Sequence, residues 1–303
     1  MLYPDTTPEQ KRRRLRDMLA DGALHRFPGA YTPLSARLIQ EKGFDGVYVS
    51  GAVLANELGF PDIGMTTLTE VAQRAGQIAR MTDLPAVVDA DTGFGEPMNV
   101  ARTVQELEAA GLAGCHIEDQ VNPKRCGHLE NKSVVDEATA VKRVKAAAEA
   151  RRDPDFLIMA RTDLRGVEGL DAAIDRMRAL VDAGADAIFP EAMRDLDEFR
   201  AVREALDVPI LANMTEFGKS RLFTAEELAG VGVNMVIYPV TLLRSALGAM
   251  ERVLEAIERD GTQEREVDAM LTRARLYELV DYEGYGRFDE GVFDFEVPQR
   301  HAD

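Results

Sequence analysis

Two short stretches of this chain carry residue types that do chemistry. In "VDADTGFG" (88–95), Asp89 and Asp91 stand two apart at the end of an apolar run. On a strand that spacing turns both carboxylates to one side. Carboxylates held close together repel unless a cation stands between them or one takes a proton. A hard divalent ion meets that need: Mg2+, with Mn2+ as the substitute, using one or two carboxylates and keeping waters of its own. Glu118 in "HIED" and Asp62 in "GFPDIG" are the acids that could hold such waters. In "PKRCGH" (123–128), Cys126 is one of only two cysteines and lies among Lys124, Arg125 and His128. Those neighbours favour a thiolate, or poise the thiol and imidazole for proton transfer near neutral pH, and Gly127 lets the backbone come close to a ligand. Zinc is not expected. Cys115 and His116 are adjacent on a strand and so face opposite sides, leaving no tetrahedral set of four, and Cys115 reads as a small core residue.

Such residues need a frame. Eight apolar runs recur at 27–32, 46–51, 85–91, 114–119, 156–162, 186–192, 208–215 and 233–239, separated by helical patterns of Ala, Leu, Arg and Glu. Rich in Val, Ile and Phe without clean alternation, they suit parallel strands buried on both faces. Several follow a helix-ending Gly, as in "EKGFDG", "AAGLAG" and "DAGADA". Eight βα units in 303 residues predict an α/β fold, a single (β/α)8 barrel domain spanning 1–303 whose chemistry sits at the C-terminal strand ends. Those ends carry Tyr48, Ser50 and Gly51, then Asp89 and Asp91, Glu118, Arg161, Glu191, Asn213 and Thr215, and Tyr238. Residues 241–303 exceed what one closing helix needs and predict a C-terminal helical extension covering a neighbouring subunit or a barrel end, with an aromatic, acidic tail of little periodicity.

Acidic residues outnumber basic ones 53 to 36, for a net charge of -17. That balance excludes a nucleic-acid partner, because nothing would release counterions from phosphates. Lys11-Arg12-Arg13-Arg14 is read as a solvated helix face beside Leu15, Met18 and Leu19. No stretch has the ~20 apolar residues of a membrane helix, the N-terminus lacks the apolar segment of a signal peptide, and two unframed cysteines suit a reducing compartment. A cytoplasmic protein without a membrane or nucleic-acid partner is expected. Against its acidic field, Arg161, Arg244 and Arg273 can grip carboxylates through paired N–H donors, whereas the loops "NMTEFGKS" and "YPVTLL" lack a Gly-rich phosphate cradle. A small di- or tricarboxylate substrate fits better than a phosphate ester.

Taken in order, "VDADTGFG", "HIEDQ", "PKRCGH", "IMARTD", "FPEA", "LANMTEFG" and "YP" resemble the isocitrate lyase and phosphoenolpyruvate mutase superfamily from about Tyr31 to Tyr282. "KRCGH" marks the lyase branch, and Arg125 favours its methylisocitrate-cleaving side. The resemblance implies a Mg2+-dependent cleavage of 2-methylisocitrate into pyruvate and succinate, in propionate catabolism by the methylcitrate cycle. It implies Asp89 and Asp91 as metal ligands, with Asp62 and Glu118 acting through water. Cys126 would be the general acid, with His128 beside it in the catalytic loop and Tyr48 as the base for the hydroxyl proton. Ser50, Gly51, Ala52, Cys126, Gly127, Arg161, Glu191, Asn213, Met214, Thr215, Arg244 and Arg273 would line the substrate site, and Phe189 and Ile237 would wall the extra methyl group. A homotetramer with its last helix exchanged between subunits is implied too. Ala52 stands where relatives carry a second Gly, and "LENK" (129–132) where RPNK is common. Isocitrate, 2,3-dimethylmalate and oxaloacetate are the rival substrates. From another class, a non-catalytic dicarboxylate-binding barrel would have lost the metal ligands or the acid, which this chain keeps.

Overall fold

A computed structural model describes residues 4–125, 127, 132–218 and 220–294. Cys126 and His128, two of the expected catalytic residues, lie outside them. Eight parallel strands are present among the described residues: β1 (His25–Pro28), β2 (Val47–Val49), β3 (Ala86–Asp89), β4 (Gly114–Glu118), β5 (Leu157–Thr162), β6 (Ala187–Pro190), β7 (Leu211–Asn213) and β8 (Met235–Tyr238). All eight expected runs contain a strand. The first lies earlier than expected, because 29–32 already turns into the helix Pro33–Glu41, capped by Thr32. The strands form a five-stranded sheet, β2-β3-β4-β5-β6, and a three-stranded sheet, β1-β8-β7. Single parallel bridges join the two sheets, Gly29 to Tyr48 and Ile188 to Ile210. The result is an α/β fold of TIM-barrel-like parallel strands.

Period-two alternation is present but hidden, since both faces are buried. Val47, Val49, Val88, Cys115, Ile117, Ile158 and Ala160 face the helices. Tyr48, Val87, Leu157, Met159, Phe189, Leu211, Met235 and Ile237 pack inward. The inner cluster also takes Leu15 and Leu19 from the helix Pro8–Ala20.

That helix corrects the reading of "KRRR". Lys11 and Arg12 are only 3% and 4% exposed. Lys11 Nζ donates to the carbonyls of Ala79 and Thr82, and Arg12 donates to those of Glu108 and Leu112 and pairs with Asp153 at 2.9 Å. Ala79 and Glu108 lie at helix C-termini, where carbonyls lack intrahelical partners. The cations cap other helices, and burial pulls the Lys11 ammonium down to about 8.

The C-terminal extension is helical, as expected, at Thr241–Asp260 and Arg273–Leu279, with a 3-10 turn at Glu264–Ala269. The tail departs from expectation by forming the helix Tyr282–Phe293, in which Tyr282, Tyr285, Phe288 and Val292 make a helically spaced stripe. Its apolar side chains are exposed, as are Leu247, Met250, Leu254 and Ile257 of the helix Thr241–Asp260.

Replacing Lys11 with Met should leave two buried carbonyls without their donor. It should lower unfolding stability by roughly 1–3 kcal/mol in urea titration, whereas a solvated lysine would leave the midpoint unchanged.

Candidate active site at the C-terminal strand ends

Register alone assembles the site. Pairing places Asp89 of β3 beside His116 of β4, Glu118 beside Arg161 of β5, and Arg161 beside Phe189 of β6. Asp89 and Asp91 do meet, but not by strand alternation. The strand ends at Asp89, and Asp91 turns back with φ 46°, its N–H donating to Asp89 Oδ1 at 3.0 Å. Gly51 N–H donates to Asp89 Oδ2 at 3.2 Å. A Cβ on Gly51 would lie 2.9 Å from that oxygen and 3.2 Å from Asp91 Oδ1, so both carboxylates converge on the start of the helix Gly51–Glu57. Ser50 is buried in front of that helix, and Ala52 lies within it, half-buried.

The acids are buried together: Asp89, Asp91, Glu118, Asp163 and Glu191 are each 5% exposed or less. Burial and the charge of Asp89 push Asp91 up to about 6. Burial drives Glu118 far above its ordinary value despite Arg161. For Asp89, His116, Lys124 and Arg161 outweigh burial and hold the carboxyl below the usual range. Neither Glu118 oxygen has a hydrogen-bond partner among the described residues, although Arg161 Nε stands 3.2 Å from Oε2. Arg161 also pairs with Asp163 at 3.0 Å and Glu191 at 3.3 Å and lies over the Phe189 ring. Phe189 and Ile237, expected to wall the substrate's methyl group, are both buried in the core.

Lys124 sets its ammonium 2.8 Å from Asp91 Oδ1 and pairs with Asp62 as well. Two residues expected at the substrate site, Met214 and Arg273, stand elsewhere. Met214 turns into the outer core, its sulfur accepting from Phe223 N–H at 3.3 Å and its own N–H donating to Ile237 O; only Asn213 and Thr215 of that trio face outward from the packing. Arg273 is exposed. It opens a helix whose Arg275 pairs with Glu41, at the far end of the helix that leaves β1 and hence opposite the mouth. Arg244 does reach the rim, held by Glu216 at 3.0 Å and lying over Phe217. Glu191 takes Ala192 N–H on Oε1 and Asn213 Nδ2 on Oε2, at 2.9 and 3.4 Å.

Tyr48 is 2% exposed, and its hydroxyl is 2.7 Å from His116 Nε2. Burial first, and then Asp89, raise the phenol far above its usual value, while burial lowers His116 to about 4. His116 was passed over in the sequence, yet it lies two residues before Glu118 and therefore on the same strand face. Asp119, next to Glu118 at the same strand end, accepts from Thr162 and from Asp163 N–H and pairs with Arg176 at 2.9 Å, tying the ends of β4 and β5 together. Lys132 donates to Gly127 O and lies 2.6 Å from Asp163.

No three Asp, Glu, His or Cys side chains among the described residues converge closely enough to hold an ion unaided. Two oxygen donors with more acids just beyond them would suit a hard ion that keeps waters of its own. The unsatisfied oxygens of Glu118 are what ion-bound waters would fill.

Fold and site define the class: an α/β enzyme whose reacting groups gather at the C-terminal ends of parallel strands. The phosphoenolpyruvate phosphomutase family model matches residues 15–258, and the chain belongs to that family. A protein of Corynebacterium glutamicum named probable 2-methylisocitrate lyase 2 is 59% identical, over 96% of this chain and 94% of its own length. Among solved structures, an oxaloacetate acetylhydrolase holding 3,3-difluorooxalacetate superposes with a TM-score of 0.89 at 34% identity, covering 96% of this chain and 100% of that one. A phosphonopyruvate hydrolase complexed with oxalate and Mg2+ gives 0.84 at 29%, covering 93% and 99%.

A Cβ on Gly127 would stand 2.4 Å from Arg161 Nη2 and 2.5 Å from Glu191 Cγ. Gly127→Ala should therefore cut kcat/KM at least tenfold, about 1.4 kcal/mol, with little change in thermal midpoint. Full activity would mean that the loop does not seat on this pair during turnover.

Proposed function

We propose that this protein is a carbon–carbon lyase that cleaves 2-methylisocitrate to pyruvate and succinate, working with Mg2+ or, as a substitute, Mn2+. The observation that carries the reading is the 59% identity, over almost the full length of both chains, to the probable 2-methylisocitrate lyase. Asp89 and Asp91 would hold the ion, with Asp62 and Glu118 beyond its waters. Bound there, the ion would polarise the hydroxyl and carboxylate oxygens of the substrate.

The chain's own groups account for the rest. Arg161 and Arg244 offer forked N–H donors to carboxylates, and Asn213, Thr215 and Ser50 offer hydrogen bonds. Gly51, lacking a side chain, leaves the space over Asp89 and Asp91 clear. Tyr48 would take the hydroxyl proton. Its raised phenol makes it a base only when a cation neutralises Asp89 beside it. As the C–C bond breaks, its electron pair stays on the succinate carbon, and Cys126 would deliver the proton there. The substrate's methyl group contributes little discrimination, since one methylene is worth roughly 10- to 200-fold.

The eight strands would act as one closed barrel within a single domain. The exposed apolar faces of 241–293 would pack on a second copy, with the last helix exchanged, in a homotetramer. Arg273, far from its own mouth, would then face the neighbouring subunit. A mass of four chains in light scattering is expected, and a monomer would refute the exchange. No helix among the described residues is long and apolar enough to cross a membrane.

Cleavage should be strong with 2-methylisocitrate, read as pyruvate, weaker with 2,3-dimethylmalate, read as pyruvate, and with isocitrate, read as glyoxylate, and abolished by EDTA. Cys126→Ser should remove it. Hydrolysis of oxaloacetate is the second reading, favoured by the closeness of the acetylhydrolase fold. It predicts turnover of oxaloacetate alone, with Cys126→Ser retaining full rate.

A further inference from the structure

The geometry points to Lys124 as the resident counter-ion of the metal site: its ammonium occupies the ion-free acid cluster, and a divalent ion must displace it to bind. The inference rests on the reading of Asp89 and Asp91 as metal ligands.

Lys124 is 3% exposed and pairs with Asp62 and with Asp91 Oδ1. That Asp91 oxygen and Asp89 Oδ2 are the oxygens nearest the Cβ position of Gly51, at 3.2 and 2.9 Å, so an ion held there by both aspartates would take it. With Mg2+ about 2.1 Å from a carboxylate oxygen and Nζ 2.8 Å from the same one, the two cations would stand at most about 5 Å apart. Partly buried like charges at that separation are strongly disfavoured. Ion and lysine therefore compete for one acceptor. A cavity of about 630 Å3, lined by Gly64, Thr67, Phe94, Asn99 and Asn122, opens onto Asp91. It gives a hydrated ion a path to this carboxylate and gives the expelled ammonium room to move.

The design makes metal affinity a difference between two occupants. Without an ion, Lys124 prevents several buried acids from repelling one another. When an ion binds, the loss of the Lys124 contacts weakens apparent affinity in the way any bound competitor does.

The test is Mn2+ affinity of the full chain without substrate, read by electron paramagnetic resonance, for wild type and Lys124→Met. The variant should bind Mn2+ at least tenfold more tightly, while its metal-free thermal midpoint falls and the rise on adding Mn2+ grows. Equal or weaker affinity in a folded variant overturns the proposal, as it would show that Lys124 stays in place beside the ion. Should the variant fail to fold without metal, Lys124→Gln decides: uncharged yet still able to hydrogen-bond Asp62 and Asp91, it should also bind Mn2+ at least tenfold more tightly than wild type, and affinity no better than wild type would overturn the proposal. If wild type and variant both bind no Mn2+ at Asp89 and Asp91, the underlying metal reading fails instead.

Discussion

The structure depends on one electrostatic imbalance. At the mouth, Asp89, Asp91, Glu118, Asp163 and Glu191 are all nearly out of water, and Arg161 and Lys124 are the cations that face Asp89, Asp91 and Glu118. A buried charge without a partner costs several kcal/mol. The chain meets that cost by sharing each cation among several acids, and burial still pushes Asp91 and Glu118 above the usual carboxylate range. Adding a divalent ion would relieve the same strain without protons.

The rest of the fold holds that imbalance in place. Parallel register puts Asp89, His116, Glu118, Arg161 and Phe189 on consecutive strands at neighbouring heights. Below them an apolar layer from Phe27 to Ile237 admits no water, which strengthens every interaction above it. Asp119 with Thr162 and Arg176 locks the ends of β4 and β5. Fixing the acids rigidly prevents them from relaxing apart.

Much of this was legible in the sequence. Apolar, β-branched runs, several of them after helix-ending glycines, located all eight strands, because burial on both faces forces that composition. Most of the mouth followed from listing polar residues at strand ends. What escaped was whatever depends on distant partners. Lys11 and Arg12 look solvated until the carbonyls of Ala79 and Leu112 are brought to them. Lys124 beside Cys126 invites a thiol-centred reading, and only folding sets it against Asp91 and Asp62, 62 residues away in the second case. Met214 sits one residue past Asn213, where alternation should have turned it outward. The tail helix was missed because Gly284, Gly286 and Gly291 obscure a stripe that Tyr282, Tyr285 and Phe288 nonetheless form.

The central claim is that the buried acids at the strand ends form a divalent-ion site. Anomalous diffraction from crystals soaked in Mn2+ tests it most directly. The account predicts one strong peak in contact with carboxylate oxygens of both Asp89 and Asp91, with Glu118 reached through ordered water. A peak elsewhere, or no peak while Asp89 and Asp91 keep their ion-free arrangement, would contradict it.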